Sequence, residues 1–397
     1  MSFDFPTEVV EEGNVSAVVP RLEHFVKAPW EYAPSKAPVF YNPVMEFNRD
    51  LAVLALQVYQ KRVGKQISLC EPLAGCGVRG IRFAVEVEGV RKVVMNDINP
   101  EAAKLARFNA ERNKLENRVS VENEDANLLL SRYAAPRKRF DFIDVDPFGS
   151  PAPYLDSTVR CLRKGGLLAL TATDLAPLCG VHPKACVRKY GGKPLRTEYC
   201  HELAVRLLIG SLAKSAAKHH FGLKVVFSHS TNHYIRAYAV MEYGSRKADS
   251  SVEKMGYVLH CFNCLHRETS EGVFSGFNKR CPECGGVMSV AGPLWLGEIL
   301  DKKYCMLMEN ELGGRKLRQT TRISKLLSQA ENEAEGLTTY YVMDRICDKL
   351  NIPVPPVKKV VNELKKAGFH AVRTHFNSTG VRTDASAKQI KSIVASL

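Results

Sequence analysis

Ile67-Ser68-Leu69-Cys70-Glu71-Pro72-Leu73-Ala74-Gly75-Cys76-Gly77-Val78-Arg79-Gly80 is an apolar run that ends on an acid and passes through a glycine-rich turn into the next segment. Ile67–Glu71 is predicted as a strand and Arg79–Glu86 as the helix after the turn. Working outward, Lys92–Asn96, Val119–Glu122, Phe140–Val145 and Leu167–Thr173 read as further strands. Pro100–Asn113 and a segment ending at Thr158–Arg163 read as helices between them, and a longer helix from Pro43 or Met45 to about Arg62 precedes them all. Such alternation predicts an α/β fold: an open, mostly parallel, Rossmann-like sheet with helices on both faces.

In that fold ligands bind beyond the carboxyl ends of the strands. Glu71, Asp97, Asp125 and Asp146 each follow a predicted strand there. Glycines at the first turn let a ligand approach the backbone. Glu71 and the Ala74-Gly75-Cys76-Gly77 turn suit a charged amino-acid moiety and a ribose. Asp97 suits the ribose hydroxyls, and Asp125-Ala126 an adenine amine. The ordered set points to S-adenosylmethionine ahead of a nicotinamide dinucleotide.

The fourth strand ends in Asp146-Pro147-Phe148-Gly149-Ser150-Pro151. An amine on an aromatic ring is a poor nucleophile, because its lone pair is delocalised. The Asp146 carboxylate and the Pro147 carbonyl can accept its N–H bonds and return electron density to nitrogen, while Phe148 stacks on the ring. This predicts methyl transfer to a nucleobase amine, with the base extruded from its stack.

The chain resembles the tRNA (guanine-26, N2)-dimethyltransferases of the archaeal and eukaryotic type over nearly its whole length. The resemblance rests on Phe40-Tyr41-Asn42-Pro43, Asn48-Arg49-Asp50, Gly77–Phe83, Asn96-Asp97-Ile98, Asp146–Pro151 and Thr171-Ala172-Thr173-Asp174. It continues through Ala176–Gly180, His182-Pro183, Arg188-Lys189-Tyr190, Arg196, Glu198, Cys200-His201-Glu202 and Thr374-His375-Phe376. It implies cofactor contacts from Arg49, Arg79, Asp97, Asp125 and Ala126, catalysis at Asp146, and a guanine flanked by Phe40 and Phe148. It implies tRNA as partner and no obligate protein partner. The chain departs from the family pattern at Cys76 in the glycine turn and at Leu175 after Asp174.

Cys261-x2-Cys264 and Cys281-x2-Cys284 match a four-thiolate zinc site, closed and therefore structural. The other eight cysteines are scattered and read as small core residues; His182 and His201 carry no metal spacing and read as structural histidines. Net charge is +14, and from Gly313 to Leu397 fifteen Lys/Arg stand against seven Asp/Glu, so +8 lies in the last 85 residues. A basic, mostly helical, winged-helix-like module there suits RNA phosphates. The expected organisation is a methyltransferase domain with an N-terminal arm over 1–244, a linker and four-cysteine zinc-binding segment over 245–314 with Gly244–Ser251 as the linker, and the basic module over 315–397. No secretory signal or membrane span is evident, which gives a cytoplasmic expectation. Two alternatives stand beside this reading: a DNA or other-RNA methyltransferase acting on adenine N6 or cytosine N4, and a non-enzymatic zinc-ribbon adaptor for nucleic acid.

Overall fold

The computed structural model describes residues 3–26, 34–272 and 276–397. The expected extended arm falls partly on 27–33, outside the described residues. Contacts divide the chain into two compact units: Met1–Pro147 with Tyr154–Leu170 and Met306–Lys325, and Phe148–Pro153 with Thr171–Cys305 and Leu326–Leu397. This interleaving differs from the consecutive blocks expected, because four segments return to a unit the chain had left.

The first unit opens with an antiparallel hairpin, β1 (Thr7–Glu12) and β2 (Val15–Pro20). Helix α1 (Glu46–Val63) follows, buried from Glu46 to Tyr59. Then come β3 (Ile67–Glu71), α2 (Val78–Glu86), β4 (Val90–Asn96), α3 (Pro100–Arg112), β5 (Val119–Glu122), α4 (Ala126–Tyr133), β6 (Phe140–Val145), α5 (Leu155–Cys161) and β7 (Leu162–Ala172). The strands pair in parallel in the order β5-β4-β3-β6-β7. Strand order reverses between β3 and β6, so their tips form the topological switch point where such sheets bind ligands. Every residue of β3 and β6 is buried, as expected of central strands covered on both faces.

The second unit holds the short helix α6 (Leu175–Leu178), α7 (Pro183–Tyr190), the long buried helix α8 (Cys200–Ala217) and the hairpin β8 (Phe221–Thr231) with β9 (Tyr234–Tyr243). The stretch expected as a linker is instead helix α9 (Ser245–Glu253). It buries Ala248 and Ser251, and the Ser251 hydroxyl accepts from Leu223 N at 2.8 Å, so a polar sequence is held helical by tertiary contact. Strands β10 (Met255–His260), β11 (Arg267–Glu271) and β12 (Ser289–Trp295) form an antiparallel sheet in the order β11-β10-β12. Helices α10 (Lys302–Asn310) and α11 (Thr320–Glu333) each run from one unit into the other.

The last segment packs β13 (Tyr341–Val342), α12 (Met343–Leu350), α13 (Val357–Lys366), β14 (Ala371–Arg373), β15 (Gly380–Thr383) and α14 (Ala387–Ala395) around Met343, Ile346, Val360, Leu364, Val381 and Ile390. Two helices are followed by the antiparallel strand pair β14 and β15 and then by α14. Beneath them Glu202 and Glu333 accept hydrogen bonds from Arg382, and Arg206 pairs with Glu202 at 2.8 Å; all four are buried. Glu333 also pairs with His375. Burial would push the Glu333 carboxyl up, but His375 and Arg382 overcome it and hold it at about 2.

Candidate active site

Arg79, near the start of α2, is the hub of the first unit's site. Its guanidinium pairs with Asp146, lies 3.4 Å from Glu71 and 3.6 Å from Asp144, and donates to Asn48 Oδ1 at 2.8 Å. One buried cation therefore gathers the carboxylates at the tips of β3 and β6, across the switch point. Asp146 Oδ2 is the oxygen engaged.

Asn48, on α1, spends its carbonyl on Arg79, and its Nδ2 is buried without an acceptor among the described residues. An unmet donor beside an arginine fits a carboxylate such as that of an amino-acid moiety. Nothing local in the sequence marks Asn48 as a ligand beyond its place next to Arg49.

The glycines serve the protein first. A Cβ at Gly75 would lie 2.9 Å from the Phe40 carbonyl oxygen, and one at Gly80 would lie 2.6 Å from Met95 Sδ. Gly77 N-caps α2 at φ 81, a conformation that favours glycine. The tight turn is thus demanded by packing as well as by any ligand.

Asp97 accepts from Gly75 N at 2.8 Å and Asn99 N at 3.0 Å, which fixes its carboxylate over the turn. Asp125 caps α4, with Oδ1 accepting from Asn127 N and Leu128 N, and Ala126 is buried beside it. Tyr154 lies near both aspartates: burial raises its phenol, and the charges of Asp125 and Asp97 raise it further. It was not foreseen, because nothing local in sequence ties it to either acid. Ile98, next to Asp97, leaves 66% of its surface exposed, an apolar wall at a polar rim.

Arg49 is not a surface arginine on an amphipathic helix. It is buried, donates from Nε to Glu12 Oε2 at 2.7 Å and from Nη2 to the Asn42 carbonyl at 3.1 Å, and lies over the Tyr41 ring. Glu12 also accepts from Tyr41 at 2.8 Å, and Arg82 pairs with Asp50 at 2.7 Å. Arg49 therefore ties α1 to the N-terminal hairpin. Phe40 is half-buried, with its carbonyl over the glycine turn.

Burial pushes the Glu71 carboxyl up to about 8; Arg79 opposes this and Asp144 and Asp146 add to it. The folded value lies above the unfolded 4.5, so the folded chain retains a proton that the unfolded chain releases. This contribution to stability is full below about 4.5 and is lost as pH rises through about 8. Thermal melts of the ligand-free protein are expected to fall between about pH 6 and 8.5, and to fall less in Glu71→Gln.

In the second unit Phe148 is 68% exposed, which removes ordinary core packing as its role. The turn that carries it is tied down on its far side. Gly149 N donates to Thr173 Oγ1 at 2.7 Å, and Thr173 N donates to the Gly149 carbonyl at 2.9 Å. Asp174 accepts from Tyr190 at 2.5 Å and Lys189 at 2.9 Å, and the Tyr190 hydroxyl also meets Ser150. Asp174 is thus a loop anchor. Tyr190→Phe is expected to lower kcat between about 10- and 100-fold, as misplacement of a reacting group does. The dissociation constant for S-adenosylhomocysteine should stay unchanged, and single-turnover kinetics beside calorimetry check both.

The sulfur atoms of Cys261, Cys264, Cys281 and Cys284 lie within 4.8 Å of one another, with Cys261–Cys284 and Cys264–Cys281 at 3.5 Å. These separations are too long for disulfides and close to the ~3.8 Å edge of a tetrahedron with ~2.3 Å zinc–sulfur bonds. Cys261-x2-Cys264 and Cys281-x2-Cys284 form matching knuckles: Leu265 N donates to the Cys261 carbonyl at 2.8 Å, and Gly285 N to the Cys281 carbonyl at 2.9 Å. Cys179 and the adjacent pair Cys200-His201 also bring three donor atoms within 4.8 Å. That is one donor short of a closed shell.

An open parallel sheet with carboxylates on successive strand tips, gathered by an arginine at the switch point, defines the class of Rossmann-like S-adenosylmethionine-dependent methyltransferases. The family model of N2,N2-dimethylguanosine tRNA methyltransferases matches residues 14–395, and the chain belongs to that family. It is 42% identical over 388 residues to the tRNA (guanine(26)-N(2))-dimethyltransferase of Methanosphaera stadtmanae, covering 98% of this chain and 96% of the relative. It is 35% identical over 390 residues to the tRNA (guanine(26)-N(2)/guanine(27)-N(2))-dimethyltransferase of Aquifex aeolicus, covering 96% and 94%. The solved structure of Trm1 from Pyrococcus horikoshii with S-adenosyl-L-methionine matches at a TM-score of 0.85 and 32% identity, over 98% of this chain and 99% of that one. Full-length membership leaves no place for the adenine or cytosine methyltransferase or for the non-enzymatic adaptor. Among the described residues no helix is long and apolar enough to cross a membrane.

Proposed function

We propose that this protein transfers methyl groups from S-adenosylmethionine to the N2 amine of guanine 26 in tRNA, with Asp146 as the acceptor that activates the amine. The observation that carries the reading is Arg79 holding Asp146 at the switch point beside Glu71 and Asp144. With Oδ2 held by Arg79, Oδ1 of Asp146 accepts one N–H of the guanine amine and the Pro147 carbonyl accepts the other. The exposed ring of Phe148, with Phe40, stacks on the extruded base. Asn48 Nδ2, Arg79 and the remaining Nη1 donor of Arg49 suit the carboxylate of the cofactor. Asp97 suits its ribose, and Asp125 with Ala126 and Ile98 suits its adenine. When bound, the cofactor supplies a methyl on a positive sulfur, a good leaving group, so the residues mainly place nitrogen in line and exclude water.

Zinc at Cys261, Cys264, Cys281 and Cys284 completes the second unit as a structural ion, and the basic C-terminal module grips tRNA phosphates. The twelve cysteines, none in a disulfide, suit a reducing cytoplasm. Nucleoside mass spectrometry of unmodified tRNA treated with the purified enzyme tests the reading. N2,N2-dimethylguanosine at position 26 is the expected product, and methylation only on adenine or cytosine, or none at all, contradicts it.

A further inference from the structure

A second feature of the first unit lies at the opposite end of the sheet from the strand-tip acids. A trough of about 550 Å³ is bounded by residues at the starts of β3, β4, β6 and β7, by Glu122 at the end of the edge strand β5, by the end of α4 and by the loop after it. Six cations line it: Arg91, Lys92, Arg132, Arg137, Lys138 and Arg163. Glu122 is its one acid, and Tyr133, tilted against Phe140 at 4.7 Å, forms part of its wall.

Two of the cations are engaged. Arg132 pairs with Glu124 and lies 3.7 Å from Glu122, and Arg163 pairs with Asp141 at 2.7 Å. Arg91, Lys92, Arg137 and Lys138 are exposed and have no carboxylate partner among the described residues. Arg137 holds a left-handed φ of 69, uncommon for a residue with a side chain, and Lys138 N closes the turn on the Ala135 carbonyl at 3.1 Å. A strained turn thus sets two more unpaired cations beside Arg91 and Lys92. Grouping like charges without counterions opposes folding, so their repulsion is relieved by a polyanion.

We infer that this trough is a second RNA-binding surface, which takes the phosphodiester backbone of the tRNA at nucleotides remote from the target guanine. The inference rests on the tRNA reading above. The cations are exposed rather than buried, which suits an extended backbone held by field and counterion release more than a small enclosed anion. The strands between the trough and the acids are about 17 Å long, so one nucleotide does not reach both ends, whereas a folded tRNA does.

The test is the full chain carrying Arg91→Gln, Lys92→Gln, Arg137→Gln and Lys138→Gln together, none of which pairs with the fold. Filter binding of unmodified tRNA is measured across salt concentrations, with methyl transfer and calorimetry with S-adenosylhomocysteine beside it. The dissociation constant and KM for tRNA are expected to rise about tenfold or more, and the log–log salt slope to shrink by about 2 to 4. The values of kcat and cofactor affinity should hold. Unchanged tRNA affinity and salt slope overturn the inference. So does a melting shift by inorganic triphosphate that the variant abolishes while tRNA affinity stays, since that marks a small-anion site. Because binding is read without turnover, a wild type that binds tRNA but transfers no methyl sinks the proposed activity while the trough is still judged on its own.

Discussion

Asp146→Ala is expected to lower the single-turnover rate of methyl transfer by about 10²- to 10⁴-fold, the range for losing a positioned proton acceptor. The guanine amine needs electron density returned to nitrogen as it attacks, and in the proposed mechanism Asp146 and the Pro147 carbonyl are the acceptors that return it. Affinity for S-adenosylhomocysteine should remain near that of the wild type, because Asp97 is fixed separately by Gly75 N and Asn99 N and Asp125 by the cap of α4. Arg79 keeps Glu71, Asp144 and Asn48 as partners, so the cation is not stranded when Asp146 is truncated. Asp146→Asn retains an acceptor oxygen without its charge and should fall between the two. A rate within about threefold of the wild type in the alanine variant would remove Asp146 from the chemistry; calorimetry and circular dichroism on the same preparation exclude a folding defect.

With zinc at the four cysteines as proposed, its removal should have the largest effect on stability. The four thiolates are part of the packing they organise: Cys261 and Cys281 are buried with Leu259 and Met288, and Phe277 and Val290 lie against them. Binding of structural zinc contributes about 10–16 kcal/mol in small peptides, comparable with the ~5–15 kcal/mol stability of a whole domain. Stripping the ion should therefore melt the β10–β12 sheet. Trp295, at the end of β12 and fully buried, reports it: in a Trp30→Phe background its emission should shift to the red on chelation and return with added zinc. Metal analysis should find about one zinc per chain, lost in Cys261→Ser. A metal-free preparation with an unshifted melting temperature contradicts the account.

Strands β3, β5 and β6 coincide with their sequence reading, because short apolar runs bounded by Gly, Pro or acidic residues leave little freedom in where a strand ends. The four cysteines were legible from spacing alone. What escaped was decided at long range. α9 is polar and became a helix through Ser251 and Ala248. The Glu12–Arg49 and Arg82–Asp50 pairs join positions that no local pattern relates, and Asn48 and Tyr154 enter the site the same way. The two-unit division was equally hidden, since it is set by contacts between segments far apart in the chain.

The central claim is that the oxygens at the tip of β6 hold the guanine amine while it attacks the methyl. A crystal structure of the enzyme with S-adenosylhomocysteine and unmodified tRNA tests it most directly. The account predicts the N2 atom of guanine 26 about 3 Å from both Asp146 Oδ1 and the Pro147 carbonyl oxygen, with the cofactor sulfur on the line beyond it. A guanine amine held by other groups, with Asp146 Oδ1 facing away from the base, would contradict it.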